Sequence, residues 1–151
     1  MEKAVAGIVW GVILLAAGLE QAPAASPCPP RLAGEVRVGH QAWRVEVAFT
    51  EQERARGLAG RPGIAPGTAM WFVLPEAGIH GFWMKGMAFA VDLAWVTPQG
   101  RLLGVETLSP CRAGPCPVHY PPEAVGFVLE AAAGSVPDLE DAQVTWRCIA
   151  D

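Results

Sequence analysis

Asp92 interrupts an otherwise apolar run, Val91-Asp92-Leu93-Ala94-Trp95-Val96. In a strand, Ala94 and Val96 share its face, while Val91, Leu93 and Trp95 take the other. A carboxylate in that setting is at least partly buried, and buried charge is paired or neutralised. Arg61 and Lys85 are the candidate partners. The functional reading is an acid or base with a displaced pKa. The ordinary reading is a buried ion pair that fixes the fold. Glu46 and Glu130 are the other acids of interest, each on a strand-like segment whose opposite face is strongly apolar. Two carboxylates flanking a cleft could hydrolyse a glycoside. Solvated or salt-bridged outward positions are the ordinary expectation for both.

Aromatic and sulfur-bearing residues offer two further chemistries. Trp71, Trp83 and Trp95, with Phe82 and Phe89, could line a groove that stacks on sugar rings or on a peptide. Trp is mostly buried, so Trp71 and Trp95 are expected in the core. Trp83 lies beside Lys85 and between glycines, and its place is open. His80-x3-Met84-x2-Met87 is a soft-ligand set of the kind that holds Cu(I), but core packing accounts equally for the methionines. Nucleophilic catalysis has little support. There is no G-x-S-x-G, no phosphate-cradling Gly loop, and no C-x2-C of the kind zinc or redox sites use. No cofactor is expected.

The chain has 151 residues, one domain's worth, with 52% hydrophobic and 17% charged residues and a formal net charge of -4. Part of the apolar excess sits at the N-terminus. Met1-Glu2-Lys3 precedes an uninterrupted apolar run from Ala4 to Leu19, and Ala22-Pro23-Ala24 then offers an Ala-x-Ala cleavage site. This pattern reads as a secretory signal peptide over 1–24. The run is shorter than the ~20 residues of a spanning helix, so cleavage is expected over retention as an N-terminal anchor. The mature protein would then be periplasmic or extracellular, with no stable membrane span. Outside that segment Lys and Arg are scattered singly, apart from Arg54 and Arg56. Nucleic-acid binding needs a basic stripe, and none exists. Four Cys in an exported chain read as two disulfides. Cys111 and Cys116 flank a Gly114-Pro115 turn and are the favoured pair, which leaves Cys28 with Cys148.

Punctuation by Gly and Pro divides the rest into short strands. A Pro-rich segment over 25–34 leads into the domain, 35–149. Strands are expected over 35–38, 42–49, 68–74, 91–97, 101–108, 124–132 and 143–149, with another in 80–84. Alternation is clearest at Trp43, Val45, Val47 and Phe49. Thr50-Glu51-Gln52-Glu53 is a capping box that starts one short helix. Thr97-Pro98-Gln99-Gly100 is a turn joining a hairpin. Residues 109–122 form a Pro-rich loop. Together these predict a mostly β fold, a single β-sandwich or barrel-like domain with one short α-helix.

Several of these residues recur in order and spacing in a known family. Val45-Glu46-Val47-Ala48, Glu53-Arg54-Ala55-Arg56-Gly57-Leu58 with Arg61, and Met70-Trp71-Phe72-Val73 come first. Phe82-Trp83-Met84-Lys85, Val91-Asp92-Leu93, Pro110, Val128-Leu129-Glu130 and Gly134 follow. From about Glu35 to Trp146 the chain resembles the DUF192 (UPF0127) family of bacteria and archaea, whose reaction is not established. The resemblance implies the same mostly β, sandwich-like domain. Gly86 and Met87 stand where the family often has Asn and Thr, Ala90 where it often has Pro, and Ala69 where a Gly is usual. Glu140-Asp141 replaces a usual Gly-Asp. The sequence therefore points to a binding or accessory protein of the cell envelope, with a saccharide or peptide as ligand. A pocket built from Arg61, Trp83, Lys85, Asp92 and Glu130 is the expected site. A hydrolase or lyase using Asp92, Lys85 and Glu46 or Glu130 is the alternative, and a His80, Met84, Met87 copper module the third.

Overall fold

A computed structural model describes residues 34–149 of the chain. The expected signal peptide and the Cys28 end of the Cys28–Cys148 pairing lie outside the described residues. Nine strands and one helix follow in order: β1 (Gly34–Val38), β2 (Gln41–Ala48), α1 (Glu51–Arg56), β3 (Thr68–Gly78), β4 (Phe82–Trp83), β5 (Val91–Val96), β6 (Leu102–Leu108), β7 (Val118–His119), β8 (Val125–Ala132) and β9 (Val144–Cys148). The described residues are mostly β with one short helix, as the sequence predicts. Seven strands form one sheet in the order β6-β5-β8-β3-β2-β1-β9, and β4 pairs with β7 in a separate ribbon.

The sheet curls until its two edges meet. Leu102 N donates to Ala142 O at 2.9 Å, Asp141 N to Leu102 O at 3.0 Å, and Val144 N to Gly100 O at 2.7 Å. One apolar cluster draws on the strands of the large sheet through Val36, Trp43, Trp71, Leu102, Leu129 and Val144. It fills the inside of the curl. Trp71 stacks there on Phe127, ring centres 5.2 Å apart, and meets Trp146 at 6.1 Å.

The alternate residues of the same strands face outward, yet they too are buried. Ala48, Met70, Phe72, Leu93, Trp95 and Val128 join a second cluster with Leu58 and Met84. Its cover is the turn after α1 and the β4–β7 ribbon. Phe82 of β4 stands edge-on to Phe72 and Trp95, with ring centres 5.2 and 5.5 Å away. The ribbon is held further by the Cys111–Cys116 disulfide, Cα atoms 5.6 Å apart. His119 on β7 lies 3.4 Å from a carboxylate oxygen of Glu106, whose other oxygen accepts from Trp95 Nε1 at 2.8 Å. At Gly81 a Cβ would stand 2.6 Å from Val118 and 2.9 Å from Tyr120, so only glycine permits the ribbon's close approach.

α1 buries no side chain. Its capping box closes as the sequence predicts: Glu53 N donates to Thr50 Oγ1 at 3.2 Å, and Thr50 N to Glu53 Oε2 at 2.8 Å. Arg54 then ties the helix to β3, donating to the Val73 carbonyl at 3.1 Å and to that of Phe49. β2 and β3 are parallel, and α1 lies on the crossover between them. β3 runs four residues beyond the predicted Leu74. Its register with β8 shifts between Val73 and Gly78, where Pro75 has no N–H to give the ladder.

Candidate functional site

Glu130 sits near the middle of the sheet, opposite Met70 on β3 and Leu93 on β5. Directly paired residues share a face, so its side chain points with those of Met70 and Leu93 to the outer side. Burial there is nearly complete, 7% exposed. Oε2 finds no hydrogen-bond partner in the structure. Removal from water disfavours the ionised form, and burial raises the Glu130 pKa to about 7. The sequence reading placed Glu130 on a solvated or salt-bridged outward face. That expectation is corrected: its strand is covered on both sides, and no cation among the described residues pairs with it.

Glu130 lines a cleft of about 300 Å³ between α1, the outer sheet face and β4. Phe72, Leu74, Phe82 and Met87 supply apolar walls, and Trp83, Lys85, His80, Glu51 and Arg56 bring the polar and aromatic lining. Trp83 is half exposed, at 50%. Gly57 ends α1 against the floor at φ 49°, ψ −135°. A Cβ there would come within 3.3 Å of the Phe72 ring and 3.8 Å of Glu130 Oε2. Arg54 is committed to backbone carbonyls. Arg56 and Lys85 make no ion pair or side-chain hydrogen bond among the described residues.

Of the five residues expected to share a pocket, Trp83, Lys85 and Glu130 line this cleft, and Arg61 and Asp92 do not. Strand alternation explains Asp92. It pairs with Ala131, the residue after Glu130, and so points to the inside of the curl. It is buried, 1% exposed, as expected. Its partners are not Arg61 or Lys85, and that expectation is corrected. Thr107 Oγ1 donates to Oδ1 at 2.6 Å and Val136 N to Oδ2 at 2.9 Å. A hydroxyl and a backbone amide thus take the place of a counter-ion. Arg61 instead grips Glu46, its two terminal nitrogens 2.7 and 2.8 Å from the two carboxylate oxygens. Those bonds hold the Glu46 carboxyl below its ordinary range. The pair borders a second hollow of about 370 Å³ with Arg44, Ile64 and Thr68, where Arg61 and Glu46 already satisfy each other. Glu46 and Glu130 are aligned on one face through Met70. That leaves them two strands apart, about 10 Å between backbones, and in separate hollows.

Of the soft-ligand trio, His80 and Met87 both line the cleft. Met84 is buried in the outer core, with Met87 packed against it. His80 Nε2 lies 2.9 Å from the Glu76 carbonyl oxygen. Among the described residues no group of three His, Cys, Asp or Glu side chains converges to hold a metal. Trp71 and Trp95 are core residues, as expected. The sequence reading missed the contribution of α1, whose Arg56 and Gly57 shape one wall of the cleft. The capping box was visible, but nothing in it indicates which sheet face the helix end meets.

A curled sheet whose outer face carries a cleft lined by a buried, unsatisfied acid defines a small β-domain. Residues 34–142 match the model of DUF192, described as an uncharacterized ACR family. The chain belongs to the DUF192 family. No curated protein matches it. Among solved structures it is similar to a protein from Sinorhizobium meliloti 1021, called a "putative transcription regulator", at 26% identity and a TM-score of 0.68. That match covers 76% of this chain and 95% of the other. A protein of unknown function from Novosphingobium aromaticivorans DSM 12444 has the same fold, at 22% identity and a TM-score of 0.63, over 84% of this chain and 94% of the other.

Proposed function

We propose that the protein is an exported binding or accessory domain of the cell envelope, and that the Glu130 cleft is its ligand site. One observation carries the second half of this reading: a carboxyl more than nine-tenths buried leaves an oxygen unpartnered beside an open hollow. An unmet buried polar group costs about 1–3 kcal/mol. A ligand that hydrogen-bonds to it recovers that cost, and a fold with no use for the group would lose nothing by carrying Gln or an apolar residue there. Trp83 at the rim supplies a face for a sugar ring or a peptide side chain. Export rests on the apolar N-terminal run and its Ala-x-Ala site. The regulator name given to the Sinorhizobium protein finds no counterpart in this chain, whose net charge of -4 comes with no basic stripe.

Catalysis is the second reading, and a specific observation favours it. An acid with a pKa of about 7 is well placed for general acid–base work at neutral pH. Lys85 would accompany it in a hydrolase or lyase. Asp92 would not, because it faces the other way.

Amide-resonance mapping of the purified protein against panels of small saccharides, peptides and organic acids tests the binding reading. Shifts should concentrate on Gly57, Trp83, Lys85 and Glu130, and Trp83→Ala should weaken them. Shifts confined to other surfaces would overturn the cleft assignment. Intact-mass measurement of exported protein tests the localisation: the product should start near Ala25, and retention of residues 1–24 would make it membrane-anchored.

A further inference from the structure

We infer that the cleft takes a small apolar-bodied carboxylate, whose oxygen accepts a hydrogen bond from the Glu130 carboxyl within the field of Lys85 and Arg56. The inference rests on the cleft being a binding site and goes on to name the chemistry it selects. Three observations meet here. The walls are apolar and aromatic, from Phe72, Leu74, Phe82 and Met87, which suits a hydrocarbon or ring body. The cations at the lining are in excess: Arg54, Arg56 and Lys85 stand against Glu51 alone once Glu130 is neutral. Of these, Arg56 and Lys85 have no partner among the described residues. An ammonium ligand would have to pass them, whereas a carboxylate is drawn by them. Finally, Oε2 of Glu130 is unmatched. A protonated carboxyl there is a donor in search of an acceptor, and a ligand carboxylate is a strong one.

A carboxylate and a carboxyl that share a site share a proton, because both cannot ionise side by side. Binding therefore draws a proton onto Glu130 wherever that residue is ionised in the free protein. Affinity should be level below about pH 7 and fall by up to tenfold per pH unit above it. The charged and titratable groups facing Glu130 are Glu51, Arg54 and Arg56 from α1, His80 from the β3–β4 turn, and Lys85 after β4. Its strand neighbours Met70 and Leu93 carry no charge. Glu130→Gln keeps an N–H donor in place of the O–H. It should still bind the carboxylate and should lose the pH dependence.

The experiment is calorimetry with phenylpropionate, phenylpropylamine and phenylpropanol, three probes of one body and different head, from about pH 6 to about pH 8.5. Wild type, Glu130→Gln, His80→Gln and Lys85→Ala are compared, each checked for folding by its amide spectrum. The expected result is selective binding of phenylpropionate, weakening above neutral pH in wild type and in His80→Gln but level in Glu130→Gln. Lys85→Ala should weaken it roughly two- to fivefold, the range of an exposed charge contact. Preference for the amine, with binding that rises with pH and vanishes in Glu130→Gln, would overturn the carboxylate assignment while keeping the cleft as a site. Equal binding of all three heads, or a pH profile unchanged by Glu130→Gln, would also overturn it. Absence of cleft binding by every probe would sink this inference, and the mapping described above then decides separately whether the cleft binds anything else.

Discussion

At Glu130 the carboxyl is buried without a partner, and that fixes how the residue acts on stability. Its pKa in the folded protein is about 7, against an ordinary value of 4.5. Below 4.5 both folded and unfolded chains hold the proton, and ionisation adds no cost. Between 4.5 and 7 the unfolded chain has released a proton that the folded chain retains, so stability falls as pH rises. Above 7 the penalty is constant, at roughly 3 kcal/mol. Gln has nearly the same shape and no charge. Glu130→Gln should therefore change stability little at about pH 4.5 and raise it by roughly 2–3 kcal/mol at about pH 8 in urea denaturation. An equal difference at both pH values would show that the carboxyl is hydrated or paired in the folded protein. The sequence contained a signal for this burial that alternation alone could not use. Glu130 lies between Val128-Leu129 and Ala131-Ala132 just as Asp92 lies between Val91 and Leu93. In a strand covered on both faces, either parity leads to a core.

The elements separate the two buried acids. Asp92 belongs to the inside of the curl, where it joins β5 to β6 through Thr107 and to the segment after β8 through the Val136 amide. Replacing it with Asn turns an acceptor into a donor opposite one of those two donors. Asp92→Asn should destabilise by about 1–3 kcal/mol and leave resonances of the Glu130 cleft in place. Shifts in Trp83 or Lys85 comparable to those near Val136 would contradict the separation of the faces. Strands, helix and hairpin turn were legible because each has local punctuation: the Thr50–Glu53 capping box, the Thr97–Gly100 turn, the alternation from Trp43 to Phe49. β7 was not, since a two-residue strand exists only because β4 and the Cys111–Cys116 bridge hold it. The partner of Asp92 was equally out of reach. A backbone amide 44 residues away leaves no mark on residue type.

At the scale of the whole molecule, one sheet serves two purposes. Its inner face closes into a core with Asp92 as a polar tie. Its outer face is roofed by the end of α1 and the β4–β7 ribbon, and the roof leaves a hollow over Glu130. The family resemblance ran through residues of both faces, Asp92 and Glu130 alike, which is why the expected pocket mixed them. The sheet's alternation places Asp92 on one face and Glu130, with the cleft we propose as a ligand site, on the other. Everything assigned to the cleft depends on Glu130 being a dry, unpaired acid. NMR titration of the side-chain carboxyl carbons reads this directly. Glu130 should titrate with a midpoint near 7, while Glu46, held by Arg61, titrates below the ordinary carboxylate range. A Glu130 midpoint near 4.5, the value of a hydrated glutamate, would contradict the assignment of this cleft as a ligand site.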